Sequence, residues 1–239
     1  LFMKKNAGDN ILTDHSSWSF SGKTYKNFDI HITKSVPLYE WSHYIGSKIS
    51  DFFLTDGSCM VDLGCSTGTF IRTLALKNNK KKVKFIGYDT VDNMINSSRK
   101  NCKLLKNTKF FKKDFSKNKI KKNNFTTSFY TLQFIHPSKR FHVLKKIYES
   151  LEWGGGFLIF EKVRAPDARF QDMMTTIYND FKIDNGFNSE EILMKSFSLK
   201  GILEPFSSSA NVELIKKSGF KDVMTVFKFI NFEGILAIK

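Results

Sequence analysis

The 239-residue chain has few cysteines, only Cys59, Cys65 and Cys102. An odd count without a spacing pattern excludes a disulfide framework, and no Cys/His cluster has the spacing of a zinc site. The thiols are read as reduced, as in a cytoplasm. No run of 18 apolar residues occurs, which excludes a helical membrane span. The polar stretch 1–10 lacks the apolar core of a signal peptide; Leu1 and Phe2, ahead of Met3, are set aside from the fold. Arginine is also scarce: of 38 basic residues only Arg72, Arg99, Arg140, Arg164 and Arg169 are not lysine. The net charge of +15 points to RNA as a partner. Phosphate and base readout, however, favours the planar fork of Arg. A composition rich in Lys, Asn, Ile and Phe is what AT-rich codons produce, so the lysine runs at 80–82 and 112–122 read as solvated loop and helix ends.

What is present is a core. Hydrophobic residues make up 41% and aromatics 15%, including 25 Phe, enough for one domain of this length. Residues 1–35 read as a polar N-terminal arm anchored by Trp18, Phe20 and Phe28, ended by Val36-Pro37-Leu38-Tyr39. Apolar positions Trp41, Tyr44, Ile45, Ile49, Phe52 and Phe53 predict a helix over 39–53. Short apolar runs then alternate with helical patterns. Strands are expected at 59–63, 83–88, 108–112, 127–132 and 157–162, and helices at 69–77, 92–103 and 138–151, the last stopped by the glycines at 154–156. This alternation means a parallel, doubly wound α/β sheet. Helices at 168–181, 189–199 and 211–218 follow, then strands at 223–230 and 232–238. The expected fold is a single α/β domain over 1–239: a class I methyltransferase (Rossmann-like) fold, with a seven-stranded parallel sheet, a terminal antiparallel hairpin and a helical cover over 163–218.

Three strand-end signals carry the chemistry. Asp62-Leu63-Gly64-Cys65-Ser66-Thr67-Gly68 follows an apolar strand and opens a helix, where open α/β sheets bind ligands. Gly64 lets backbone approach a ligand, the helix amides offer donors, and Asp62 can hold an ammonium group. Asp89, 25 residues after Gly64, ends the next strand, where a carboxylate can accept from both ribose hydroxyls. Asp114-Phe115 ends the third, suited to an adenine edge. Ser66 stands where G-x-G-x-x-G requires its second glycine, and no Walker lysine occurs, so S-adenosylmethionine (SAM) is favoured over a dinucleotide or a nucleoside triphosphate. No catalytic triad is visible. His31 and His136 are candidate bases more easily read as structural donors, and Tyr39, Tyr130 and Tyr178 are candidate site hydroxyls more easily read as core. Methyl transfer from a sulfonium needs in-line positioning more than acid–base help.

The chain resembles the carboxy-SAM synthase family, whose product serves wobble-uridine modification in bacterial tRNA. The resemblance runs through Trp18-Ser19-Phe20, Ser35-Val36-Pro37-Leu38-Tyr39, Asp62-Leu63-Gly64-Cys65-Ser66, Thr131-Leu132-Gln133-Phe134, Lys146-Ile147-Tyr148, Glu161-Lys162, Asp180-Phe181-Lys182, Asn185-Gly186-Phe187, Lys217-Ser218-Gly219-Phe220 and Phe229-Ile230-Asn231-Phe232. It implies a homodimer converting SAM and prephenate to carboxy-SAM and phenylpyruvate, with ligand contacts at Tyr39, Gly64, Cys65, Ser66, Asp89, Asp114 and Phe115. Two positions depart. The family's ligand-contacting Asn is Phe129 here, and the Arg that holds the extra carboxylate of carboxy-SAM falls on Ser196. A hydroxyl cannot replace that fork, so the expectation is a SAM-dependent transferase of small molecules, read as a methyltransferase that prefers SAM. The alternatives are a true carboxy-SAM synthase using Lys195 or Lys200 as substitute cation, and a non-catalytic SAM-binding module on RNA.

Overall fold

The computed structural model describes residues 5–20 and 28–239; the reading made for residues 1–3 lies outside them. The elements in chain order are β1 (Lys5–Asn6), β2 (Leu12–Thr13), α1 (Phe28–Ser35), α2 (Tyr39–Ile49), β3 (Cys59–Leu63), α3 (Thr69–Lys77), β4 (Lys84–Asp89), α4 (Asp92–Asn101), β5 (Thr108–Lys112), β6 (Asn123–Phe129), α5 (Pro137–Ser150), β7 (Leu151–Lys162), α6 (Ala168–Asp184), α7 (Ser189–Leu199), α8 (Ser208–Lys217), β8 (Asp222–Phe229) and β9 (Phe232–Ile238). Among the described residues no helix is long and apolar enough to cross a membrane.

The main sheet has seven strands in the order β5-β4-β3-β6-β7-β9-β8. All run parallel except β9, which is antiparallel to both its neighbours. The hairpin therefore enters with its second strand innermost. Composition explains this. β9 is apolar and buried along most of its length, whereas β8 is half-exposed and carries Thr225 and Lys228, as an edge strand should. Side chains alternate across the sheet with period two. Met60 and Phe85 join Phe70, Ile71 and Leu74 of α3 on one face. Val61, Leu63 and Ile86 join Val143, Leu144 and Ile147 of α5, with Ile215 of α8, on the other. The strand order reverses between β3 and β6, so a crevice opens at their carboxyl ends.

Several boundaries differ from the sequence reading; the strand expected over 127–132 ends at Phe129, and Leu132–Phe134 form a 3-10 turn. Residues 28–35 form helix α1 rather than the end of an irregular arm. The helix from Tyr39 ends at Ile49 and passes into a 3-10 turn at Ser50–Phe52. β6 begins at Asn123, because Thr126, Thr127 and Ser128 are polar residues buried in its interior. The glycines at 154–156 do not stop α5, which ends at Ser150; they lie inside β7. There the register steps from Asn123↔Leu151 to Phe125↔Gly156, a bulge, with the Phe53 ring packed where a Gly156 side chain would stand.

The N-terminal segment and the late helices close the crevice. Ala7, Ile11 and Trp18 pack with Met194 of α7 into a small separate core. The Ser16 and Trp18 amides donate to the Phe197 and Ser198 carbonyls. α8, by contrast, packs against α5 and β8 and belongs to the flank of the sheet, not to the cover.

Candidate functional site

The turn after β3 is built by its backbone. Gly64 has φ +77°, and a side chain there would collide with Thr131, so both conformation and packing require glycine. The Gly64 and Cys65 amides both donate to the Tyr88 carbonyl, at 2.8 and 3.0 Å, which ties the turn to β4. Ser66 (φ 49°) is itself left-handed, as are Leu38 and Tyr130 beside the same crevice (both φ 54°). Strained non-glycine backbone of this kind collects at ligand sites. Thr67 Oγ1 donates to Asp29 Oδ1 of α1 at 2.8 Å, anchoring the cover to the turn.

The three strand-end acids converge on a cavity of about 530 Å³, within the roughly 300–1,000 Å³ range of small-molecule sites. Asp62 is buried, accepts from Thr127 Oγ1 at 2.7 Å, and is pushed up to about 7 by burial. Asp89 Oδ2 accepts from the Ser66 amide (3.0 Å) and Oδ1 from the Val91 amide (2.9 Å). These amides fix the carboxylate plane at the cavity edge; burial raises its pKa, opposed by backbone hydrogen bonds from Val91, Ser66 and Thr90. Asp114 Oδ1 accepts from both the amide and hydroxyl of Ser116, at 2.9 and 2.6 Å. Burial pulls its pKa upward, but those bonds and the Lys117 charge outweigh it, and the carboxyl lies below its ordinary value.

Tyr39, Asp62, Gly64, Cys65, Ser66, Asp89, Asp114, Phe115 and Phe129 all line this one cavity. Phe129 fills its position with an aromatic stack, 4.6 Å from Phe70 and 5.1 Å from Phe160 between ring centroids. Ser196 is a correction. It sits on the exposed side of α7 and is not among the cavity walls, because the helix turns its neighbour Lys195 inward instead. Successive helical positions lie about 100° apart, so a shift of one residue exchanges a solvent position for a ligand position.

Sequence reasoning named Lys195 only as a substitute cation and missed Lys162 and Lys182. Lys162 and Lys195 reach the cavity from β7 and α7, and Lys182 of α6 stands beside them. Lys162 Nζ and Lys182 Nζ each lie 4.4 Å from the Tyr178 ring centroid; Lys195 Nζ lies 3.3 Å from that of Trp18. Burial lowers Lys162 and Lys182 to about 8, with the Lys182 charge adding to the effect on Lys162. Burial holds Lys195 well below the usual lysine range. In the sequence Lys162 and Lys182 are only members of family-like runs, because their convergence is a tertiary fact. His136 has the structural role expected of it: its side chain caps α5, accepting from the Ser138 amide.

A methyltransferase-domain family profile matches residues 60–155. Carboxy-S-adenosyl-L-methionine synthase of Staphylococcus epidermidis is 36% identical over 223 residues, 93% of this chain and 97% of that protein. The chain belongs to the carboxy-SAM synthase family. The Campylobacter lari synthase is 32% identical over the same share of this chain and 94% of its own. Among solved structures, human N-acetylserotonin methyltransferase in complex with SAM superposes with a TM-score of 0.61 at 17% identity, covering 92% of this chain and 56% of that one. That likeness establishes the class I methyltransferase fold. The protein is thus a SAM-dependent transferase of this family.

The family-like runs have structural work in this chain. In Thr131-Leu132-Gln133-Phe134, Thr131 backs Gly64 and the Leu132 amide donates to Glu161 Oε1 at 3.0 Å. Gln133 ties the Tyr130 carbonyl to the Lys162 amide, and Phe134 meets Phe20 of the arm edge-on at 5.0 Å. The run is a clamp that joins β6, β7 and the cover at the cavity wall. Tyr148 and Phe220, from two further runs, pack edge-on at 5.1 Å beneath α5 and α8.

Proposed function

We propose that the cavity binds SAM and directs a one-carbon transfer to or from an anionic small molecule. The observation that carries this is Asp89, its carboxylate held in place by backbone amides at the cavity edge, beside a glycine turn and Asp114-Phe115. The remaining groups fit SAM. Asp62 lies where an ammonium group would reach it, and the walls about Phe115, Phe129 and Phe134 suit an uncharged nucleoside. SAM supplies an activated carbon on a sulfonium. The chain's own residues orient it, exclude water and supply positive charge through Lys162, Lys182 and Lys195, which favours a carboxylate-bearing second ligand.

Lys195 favours a second, narrower reading: carboxy-SAM synthesis, the activity in the relatives' names. A preference for SAM requires a neutral Ser196 at the ligand, and the cavity wall has Lys195 there. By the same family likeness we propose a cytoplasmic homodimer acting ahead of tRNA modification. Mass spectrometry of the ligand that co-purifies, with calorimetry against SAM, S-adenosylhomocysteine and NAD, is the test. Binding of NAD in place of SAM would defeat the main reading. Recovery of carboxy-SAM, heavier by one carboxyl group, would select the narrower one.

A further inference from the structure

Three segments distant in sequence meet at one buried amine. His31 of α1 is buried, with Nδ1 2.7 Å from Asp9 Oδ2. Its Nε2 lies 2.5 Å from Lys195 Nζ of α7 and 3.3 Å from Ser35 Oγ. Lys34 Nζ lies 3.0 Å from the other Asp9 oxygen. With its proton on Nδ1, donated to Asp9, His31 presents Nε2 as an acceptor for a Lys195 N–H. The carboxylate, imidazole and amine form a line that ends in the cavity. The charges that act on the amine are Lys182 of α6 and Lys162 of β7, which disfavour the ammonium form, and Asp9, which favours it; the Trp18 face lies 3.3 Å from Nζ, and Lys34 of α1 acts on His31 and Asp9 behind it. The carboxylate that offsets this positive surplus is Asp9, and it acts through the imidazole.

We propose that the Asp9–His31 pair makes Lys195 a switchable cation, which takes up a proton when a carboxylate-bearing ligand enters the cavity and does not when SAM enters. This rests on the reading of the cavity as a SAM site. One proton passes from solvent to Lys195 Nζ, converting the amine to an ammonium; no other bond changes. His31 Nε2 accepts an N–H in both states, so the amine keeps its aim while its charge changes. Burial, and then the Lys182 and Lys162 charges, disfavour the ammonium form of Lys195, and an arriving carboxylate acts in the opposite direction. His31 is a positioning residue for Lys195, and Lys195 is the residue that distinguishes the two ligands.

The test compares carboxy-SAM with SAM on the intact protein, by calorimetry in buffers of different ionisation heat, over about pH 6 to 10. Both ligands carry the same titrating amino group, so the difference between them isolates the protein's response to the added carboxylate. The expected result is an excess uptake of up to one proton for carboxy-SAM. The affinity ratio of carboxy-SAM to SAM should fall by up to about tenfold per pH unit above the Lys195 midpoint. Lys195→Met abolishes the excess uptake for carboxy-SAM and leaves the carboxy-SAM-to-SAM affinity ratio independent of pH. His31→Gln keeps an acceptor but loses the path to Asp9, so it moves the midpoint of the ratio; a merely structural His31 would weaken both ligands equally with the midpoint unmoved. Equal proton uptake for the two ligands in wild type, or a ratio independent of pH, overturns the proposal. Failure to bind SAM at all overturns the site assignment beneath it.

Discussion

Lys162 should cost the empty protein stability, and its replacement by Met should recover that cost. Its pKa falls from 10.5 to about 8, chiefly by burial and then by the Lys182 and Arg164 charges. A tenfold change in a protonation equilibrium corresponds to ~1.4 kcal/mol between the charged and neutral forms, so the whole effect is ~3 kcal/mol. The amine keeps some contact with the cavity and with the Tyr178 face, which together offset ~1–2 kcal/mol. The net expectation is a gain of ~1–2 kcal/mol for Lys162→Met, or roughly 2–8 °C in Tm for a chain of this size. The sign with pH follows from proton binding. Below pH 8 the lysine is charged in both folded and unfolded states and its cost is fully present. Between pH 8 and 10.5 the unfolded state binds more protons, so wild-type stability rises with pH while that of the variant lacks this rise. Because that recovery is ~3 kcal/mol in all, the two curves should cross between pH 8 and 10.5, with wild type the more stable above the crossing. Thermal and urea unfolding without ligand, from about pH 6 to 11, measures this. A variant less stable than wild type at neutral pH, or a difference that does not change with pH, would contradict this account of Lys162.

Four shorter predictions accompany it. Asp89→Ala should weaken SAM about tenfold or more, since charge-assisted hydrogen bonds contribute roughly 1.5–3 kcal/mol; calorimetry showing unchanged affinity in a folded variant would remove Asp89 from the ribose. Gly64→Ala should destabilise by at least ~1–2 kcal/mol, from left-handed strain plus the collision with Thr131, and abolish SAM binding; a wild-type Tm by calorimetry would contradict it. Ser196→Arg should leave the choice between SAM and carboxy-SAM unchanged in a competition assay, because position 196 faces solvent; a gain in carboxy-SAM affinity would return that position to the site. Light scattering at micromolar concentration should give a dimer. The α6 residues Phe170, Met173 and Ile177 are 50%, 51% and 46% exposed, the kind of apolar surface a partner subunit would cover, and a monomer would refute the proposal.

Local order along the chain was enough for the fold class and for the lower half of the site. The strand–turn–helix pattern around Gly64 places the turn at a strand end, and Asp89 and Asp114 end the next two strands. In a parallel sheet, residues at successive carboxyl ends must lie along one edge, so their convergence is fixed by topology alone. Boundaries were less legible where burial contradicts polarity. The Asn123 end of β6 reads as a polar loop until its neighbours β3 and β7 supply hydrogen bonds, and the glycines of β7 read as a stop until the bulge absorbs them.

The upper half of the site was decided only by tertiary packing. Asp9, His31, Lys162, Lys182 and Lys195 lie on five separate segments, with no spacing to connect them, and ordinary lysines in such a basic chain read as solvated surface. What brings them together is the docking of the N-terminal arm onto α7 and of α6 over β7, which removes water from amines that composition alone would leave exposed. The same docking set the rotation of α7 and chose Lys195 over Ser196. A sequence alignment fixes a position along a helix, but the face that position presents depends on what the helix packs against.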